Sequence, residues 1–69
     1  MKKITFRDHK ELFDYLVDHQ FDSRLFFEGK PVGYTGRVVN GEYEFTAGDR
    51  CVMFDEIADS LEVEDADRN

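Results

Sequence analysis

The spacing of apolar residues changes several times along the chain, and each change marks an element. Lys2-Lys3-Ile4-Thr5-Phe6 alternates, places Ile4 and Phe6 on one face, and predicts a short strand. Beyond Asp8 the period lengthens. Leu12, Phe13, Leu16 and Val17 fall at i, i+1, i+4 and i+5, which on a helix forms one stripe roughly 140° wide. Asp8 is placed to cap this helix, with Glu11 three residues on in a capping-box pattern, and Thr5 with Asp8 offers a second start one turn earlier. The helix is expected to end near His19 or Gln20, with Phe21 folding back onto the core.

Arg24-Leu25-Phe26-Phe27-Glu28 predicts a strand by its aromatic content, and Glu28-Gly29-Lys30-Pro31 a turn. Pro31 has no N–H to give, so it must face an open edge or stand outside the ladder. Val32 to Val39 predicts the next strand, Asn40-Gly41 a two-residue type I′ hairpin, and Glu42 to Ala47 the return. That hairpin sets Val39 against Glu42, Val38 against Tyr43, Arg37 against Glu44 and Gly36 against Phe45. Val38, Tyr43, Phe45 and Tyr34 then share one face, Arg37 and Glu44 form an exposed ion pair on the other, and Gly36 leaves room for the Phe45 ring. Ala47-Gly48-Asp49 turns again, Arg50 to Phe54 forms a strand, and Asp55 can cap a short helical turn in which Ile57 meets Leu61.

The elements read β-α-β-β-β-β followed by a short helical turn. The links between the last four strands are short, so those strands form an antiparallel meander. The expected class is α+β: one amphipathic helix packed on a small curved antiparallel sheet of four to five strands, with an acidic C-terminal tail. Residues 1–61 make a single domain under this reading. Residues 62–69, whose only apolar members are Val63 and Ala66, make a flexible tail that buries too little to offset the entropy of ordering.

Composition narrows the functional classes. The chain has 69 residues, 41% of them hydrophobic, which suits one small folded domain. Its formal charge is −7, which disfavours direct binding to nucleic acid, where phosphates are met by Lys and Arg. The charge is also localised: residues 1–50 carry nine acids and eight bases, residues 51–69 seven acids and one base. One cysteine excludes an intramolecular disulfide and a multi-cysteine zinc site. No apolar run approaches the roughly 18 residues that cross a bilayer, and no apolar segment follows Lys2-Lys3 as in a secretory signal. No membrane partner and a cytoplasmic location are therefore expected.

Catalytic or cofactor chemistry finds little support. His9 and His19 are separated by about 15 Å of helical rise, too far to share a metal, and His9 reads as a half-buried packing residue. Cys51 alternates with Val52 at the start of a strand and reads as a small buried hydrophobe. The five glycines form no phosphate-binding pattern, and the serines, Ser23 and Ser60, lie in no nucleophile motif. The expectation is a non-enzyme without cofactor or metal.

Charge patterning is more suggestive. Glu11, Asp14 and Asp18 lie within about 60° of one another on the helix, opposite the apolar stripe, and Asp22 follows just beyond. Their steps along the axis are roughly 5–6 Å, comparable to the phosphate spacing of a nucleic-acid strand. Tyr15 offers an aromatic anchor beside them, and Asp55, Glu56, Asp59, Glu62 and Glu64 extend the acidic surface through the C-terminal part. These ten residues are the candidate partner-binding set. A solvated polar face would account for the same pattern.

In size and charge alone, with no specific motif, the chain is similar to the short acidic proteins by which bacteriophages and mobile elements block host proteins. The expected function is a small acidic inhibitor or modulator acting as a nucleic-acid mimic. It would occupy a basic, nucleic-acid-binding surface of a host protein such as a defence or nucleic-acid-processing enzyme. The alternative is a structural or accessory module acting by docking to a larger complex or by self-association, with a homodimer left open.

Overall fold

The computed structural model describes residues 2–19 and 24–64 of the chain. The order is β1 (Lys2–Lys3), α1 (His9–Asp18), β2 (Leu25–Phe27), β3 (Lys30–Val39), β4 (Glu42–Ala47), β5 (Arg50–Met53), α2 (Phe54–Ile57), a 3₁₀ turn (Ala58–Ser60) and β6 (Leu61–Val63). All strand pairs are antiparallel in one six-stranded sheet ordered β1-β6-β2-β3-β4-β5. The α+β class and the β2–β5 meander are as the sequence predicts. The sixth strand is not.

Leu61-Glu62-Val63, which the sequence divides between domain and tail, instead lies inside the sheet between β1 and β2. Val63 sits opposite both Lys2 and Leu25, and Glu62 opposite both Lys3 and Phe26. The weak apolar content of this segment is offset by two neighbours that complete its backbone hydrogen bonding. Residues 65–69, the rest of the expected tail, lie outside the described residues, as do Phe21 and Asp22.

Both short hairpins follow from their turn residues. Asn40 and Gly41 have φ of 52° and 81°, and Glu28 and Gly29 have 52° and 81°, the two left-handed positions of a type I′ turn. The closing pair of such a hairpin exchanges hydrogen bonds and the next pair does not. Pro31, one step beyond the Phe27–Lys30 closing pair, therefore turns its ring nitrogen away from β2. The β3–β4 ladder begins one residue later, at Val32 opposite Ala47, and the Pro31 carbonyl accepts the Gly48 N–H at 2.8 Å. The proline breaks no ladder bond.

The expected β3–β4 register holds only near the turn. Val39 faces Glu42 and Val38 faces Tyr43, but Phe45 faces Tyr34 rather than Gly36. A bulge over residues 35–37 absorbs the difference, and Gly36 at φ 91° supplies a backbone conformation that a Cβ would disfavour. Gly36 makes no room for a ring, since no atom lies within 4 Å of where its Cβ would stand.

The core lies between α1, α2 and one face of the sheet: Leu12, Leu16, Leu25, Val32, Phe45, Ala47, Val52, Ile57 and Leu61 are buried. Asp8 caps α1, its carboxylate accepting the Glu11 N–H at 2.9 Å, and His19 closes the helix as its C-cap. Met53 rather than Asp55 precedes α2, and the Glu56 carboxylate accepts the Met53 N–H at 3.2 Å. Cys51 is exposed, not buried. Because Val52 turns into the core, its neighbour must point to the face that neither helix covers.

Candidate partner-binding surface

The ten candidate residues separate once their surroundings are known. Glu11 serves the start of α1: its carboxylate accepts the Arg7 N–H at 2.7 Å and pairs with Arg7 Nε at 3.4 Å. Glu56 accepts the amide that opens α2. Glu64 pairs with Arg24 at 3.2 Å, while its N–H is donated to the Arg24 carbonyl at 2.9 Å. Glu62 is half-buried in β6. The carboxylates of Glu11, Glu56 and Glu64 thus have work within the chain, and Glu62 stands partly enclosed in the sheet.

Tyr15 is not a free anchor. It is half-buried against the core, edge-on to Phe6 at 5.3 Å between ring centroids and 4.3 Å from the His19 ring. At 100° per residue it falls on the flank of α1 that covers the chain's N-terminal segment.

Four described acids remain: Asp14 and Asp18 on α1, Asp55 in α2 and Asp59 in the 3₁₀ turn, all exposed. Among the described residues none of them is in an ion pair. Lys10 stands one turn before Asp14 without pairing to it. Asp14 and Asp18 are one turn apart on a single helix and point away from the buried Leu12 and Leu16, so they form a fixed negative pair in solvent. Asp55 and Asp59 belong to another element, and α1 rests on β3 and β4 whereas α2 rests on β4 and β5.

A second feature lies on the opposite flank of α1. Phe13 stacks on Tyr43 with centroids 4.1 Å apart and planes 13° from parallel, and Tyr34 meets both rings edge-on. His9 holds this cluster in place: its Nδ1 accepts the Tyr43 N–H at 3.2 Å and its ring meets the Tyr43 ring at 5.3 Å. The reason is in the sheet. Hydrogen-bonding parity turns the Tyr43 N–H towards β5, but β5 ends at Met53 and the next residue is already in α2. The half-buried packing role predicted for His9 is what it has, and the orphan amide gives the reason. Sequence reading missed the Phe13–Tyr34–Tyr43 cluster as a surface feature, although the helical stripe contained Phe13 and the hairpin face contained both tyrosines.

The outer face of the sheet carries the expected Arg37–Glu44 pair, at 2.9 Å. It is not the exposed pair expected, because Glu44 is only 8% exposed. Its Oε1 also accepts from the Thr35 hydroxyl at 3.2 Å, and that hydroxyl in turn accepts the Arg37 N–H at 3.1 Å. The bulge is thereby fastened to β4. The Arg37 hydrogen bond, with help from Thr35, holds the Glu44 carboxyl below the usual carboxylate range against the opposing effect of burial.

Among the described residues there is no group of three or more His, Cys, Asp or Glu side chains placed to hold a metal ion. No helix among them is long and apolar enough to cross a membrane. Compared with known proteins, the chain matches no family model, and neither a curated protein nor a solved structure shows significant similarity to it.

Proposed function

We propose that this protein is a small acidic binding module that docks through α1 onto a basic surface of another protein and blocks what that surface would otherwise hold. One observation carries the reading. Three arginines neutralise Glu11, Glu44 and Glu64, yet Asp14 and Asp18 stand exposed one turn apart without a partner among the described residues. Fixed like charges on a rigid helix cost stability through repulsion and are relieved by a cationic partner. They present a row of negative charge as a phosphate backbone does, so a nucleic-acid-binding groove on a defence or nucleic-acid-processing protein fits them in sign. Blocking is steric and electrostatic, and no bond is made or broken.

The test is capture of binding partners from a host lysate with mass spectrometry, repeated with Asp14→Lys/Asp18→Lys. The expected partners are basic nucleic-acid-binding proteins, released by rising salt, displaced by nucleic acid, and lost with the double variant. Capture that ignores both salt and the double variant overturns the reading. The open edge of β5 favours a second reading, an accessory module that pairs strands with itself or a larger complex. Light scattering after size exclusion separates the two, since a tight dimer supports the second.

A further inference from the structure

Val17 and Val38 are the large apolar side chains left most exposed among the described residues, at 43% and 58%. They are not scattered. Val17 follows Phe13 by one helical turn, Phe13 stacks on Tyr43, and Tyr43 faces Val38 across the β3–β4 ladder. The result is a strip of half-buried aromatic and exposed aliphatic surface, running from the last turn of α1 to the tip of the β3–β4 hairpin. The sequence places both valines inside: Val17 in the helical stripe and Val38 on the core face of the hairpin. The structure leaves Val38 out because β3 and β4 run past the first turn of α1, where nothing among the described residues covers the tip, and it leaves Val17 out at the other end of the helix, in the last turn.

The border of this strip is charged. Asp14 stands about 60° around α1 from Val17 on its solvent side, and Asp18 about 100° around in the same direction. Lys10 is the cation on the same flank. Exposed apolar groups clustered beside unpaired charge mark an interaction surface more often than a random surface does.

We infer that this strip is where affinity is made, and that its occupant is a lysine- or arginine-rich protein segment carrying large apolar side chains. The inference rests on the acidic-module reading above. The cations meet Asp14 and Asp18, and an apolar side chain settles on the Phe13–Tyr43 stack between Val17 and Val38. Charge complementarity selects this occupant over a second copy of the chain, which would set two Asp14–Asp18 pairs and two charges of −7 against each other. It also selects it over a nucleic acid, whose phosphates those carboxylates repel.

Two peptides of equal charge and length test the inference against the isotopically labelled full chain by NMR titration: oligolysine, and an amphipathic leucine–lysine peptide. The leucine–lysine peptide is expected to bind at least tenfold more tightly and to shift the Phe13, Val17, Val38 and Tyr43 resonances. Val17→Ser/Val38→Ser should abolish that advantage and leave oligolysine binding unchanged. Asp14→Lys/Asp18→Lys should weaken both peptides. Equal binding of the two peptides, with the charge-reversal effect retained, overturns the role of the strip while leaving the acidic reading intact. Failure of both peptides to bind overturns both. Concentration-dependent shifts at Val17 and Val38 without peptide assign the strip to a second copy and overturn the proposal. The resonance map of the unaltered chain decides the matter even where a variant fails to fold.

Discussion

His9 shows how one side chain substitutes for a missing strand. β4 outlasts β5, and the imidazole accepts the amide that β5 would have accepted. His9→Leu removes that acceptor and is expected to cost about 1–3 kcal/mol, read by urea denaturation, because an amide left without a partner keeps its desolvation penalty. Glu44 carries a different liability. Its carboxyl titrates below its unfolded value, so the stability it supplies is complete above the ordinary glutamate pKa of roughly 4.3 and is lost as pH falls through the lower folded value. Glu44→Gln should flatten the acid limb of the stability–pH curve, and an unchanged acid limb would show that the Glu44 carboxylate does not couple protonation to folding. Gly36 answers to backbone geometry only. Gly36→Ala places a Cβ at φ 91° in open space, and a loss of about 1–2 kcal/mol without rearrangement of the β3–β4 tip is expected on thermal denaturation.

Among the elements, α1 and the hairpins were legible because their signals are local. An aspartate cap, a stripe of four apolar residues and Asn-Gly between two strands each act over a few residues; the cap and the turn appear where predicted, and of the stripe Leu12, Phe13 and Leu16 pack inward while Val17 stays exposed. β6 was not legible. Three residues with one acid between two apolar side chains carry no strand signal of their own, and it is β1 and β2 on either side that make them a strand. The β3–β4 register failed for a related reason: a turn sets pairing only until a bulge, and nothing local in Thr35-Gly36-Arg37 announces that two residues will be absorbed. Of the candidate site, the charge was legible but the use of each charge was not, since capping and ion pairing by Glu11, Glu56 and Glu64 depend on backbone amides and arginines placed by the fold. Two expectations belong to this scale. A chain ended after Leu61 should lose cooperative unfolding while one ended after Glu64 keeps it. Asp14→Lys/Asp18→Lys should change stability by no more than about 0.5 kcal/mol by denaturant midpoint, as for other solvent-facing substitutions.

At the scale of the whole molecule, the sheet is sided. One face receives both helices and the core, and the other carries the Thr35–Arg37–Glu44 fastening and the exposed Cys51. Charge is uneven as well, and partner association should quicken at low ionic strength and slow steeply with added salt, measurable by stopped-flow. The placement of β6 has a further consequence, for how the protein is made. Lys2 and Lys3 pair with residues some 60 positions later and with no other strand. During synthesis the meander from β2 to β5 can assemble as it leaves the ribosome, with the free side of β2 open for all that time. The sheet closes only when Leu61, Glu62 and Val63 emerge and slide into the gap between β1 and β2, so a three-residue strand decides whether the newborn sheet is sealed or left with a raw margin for its neighbours to seize.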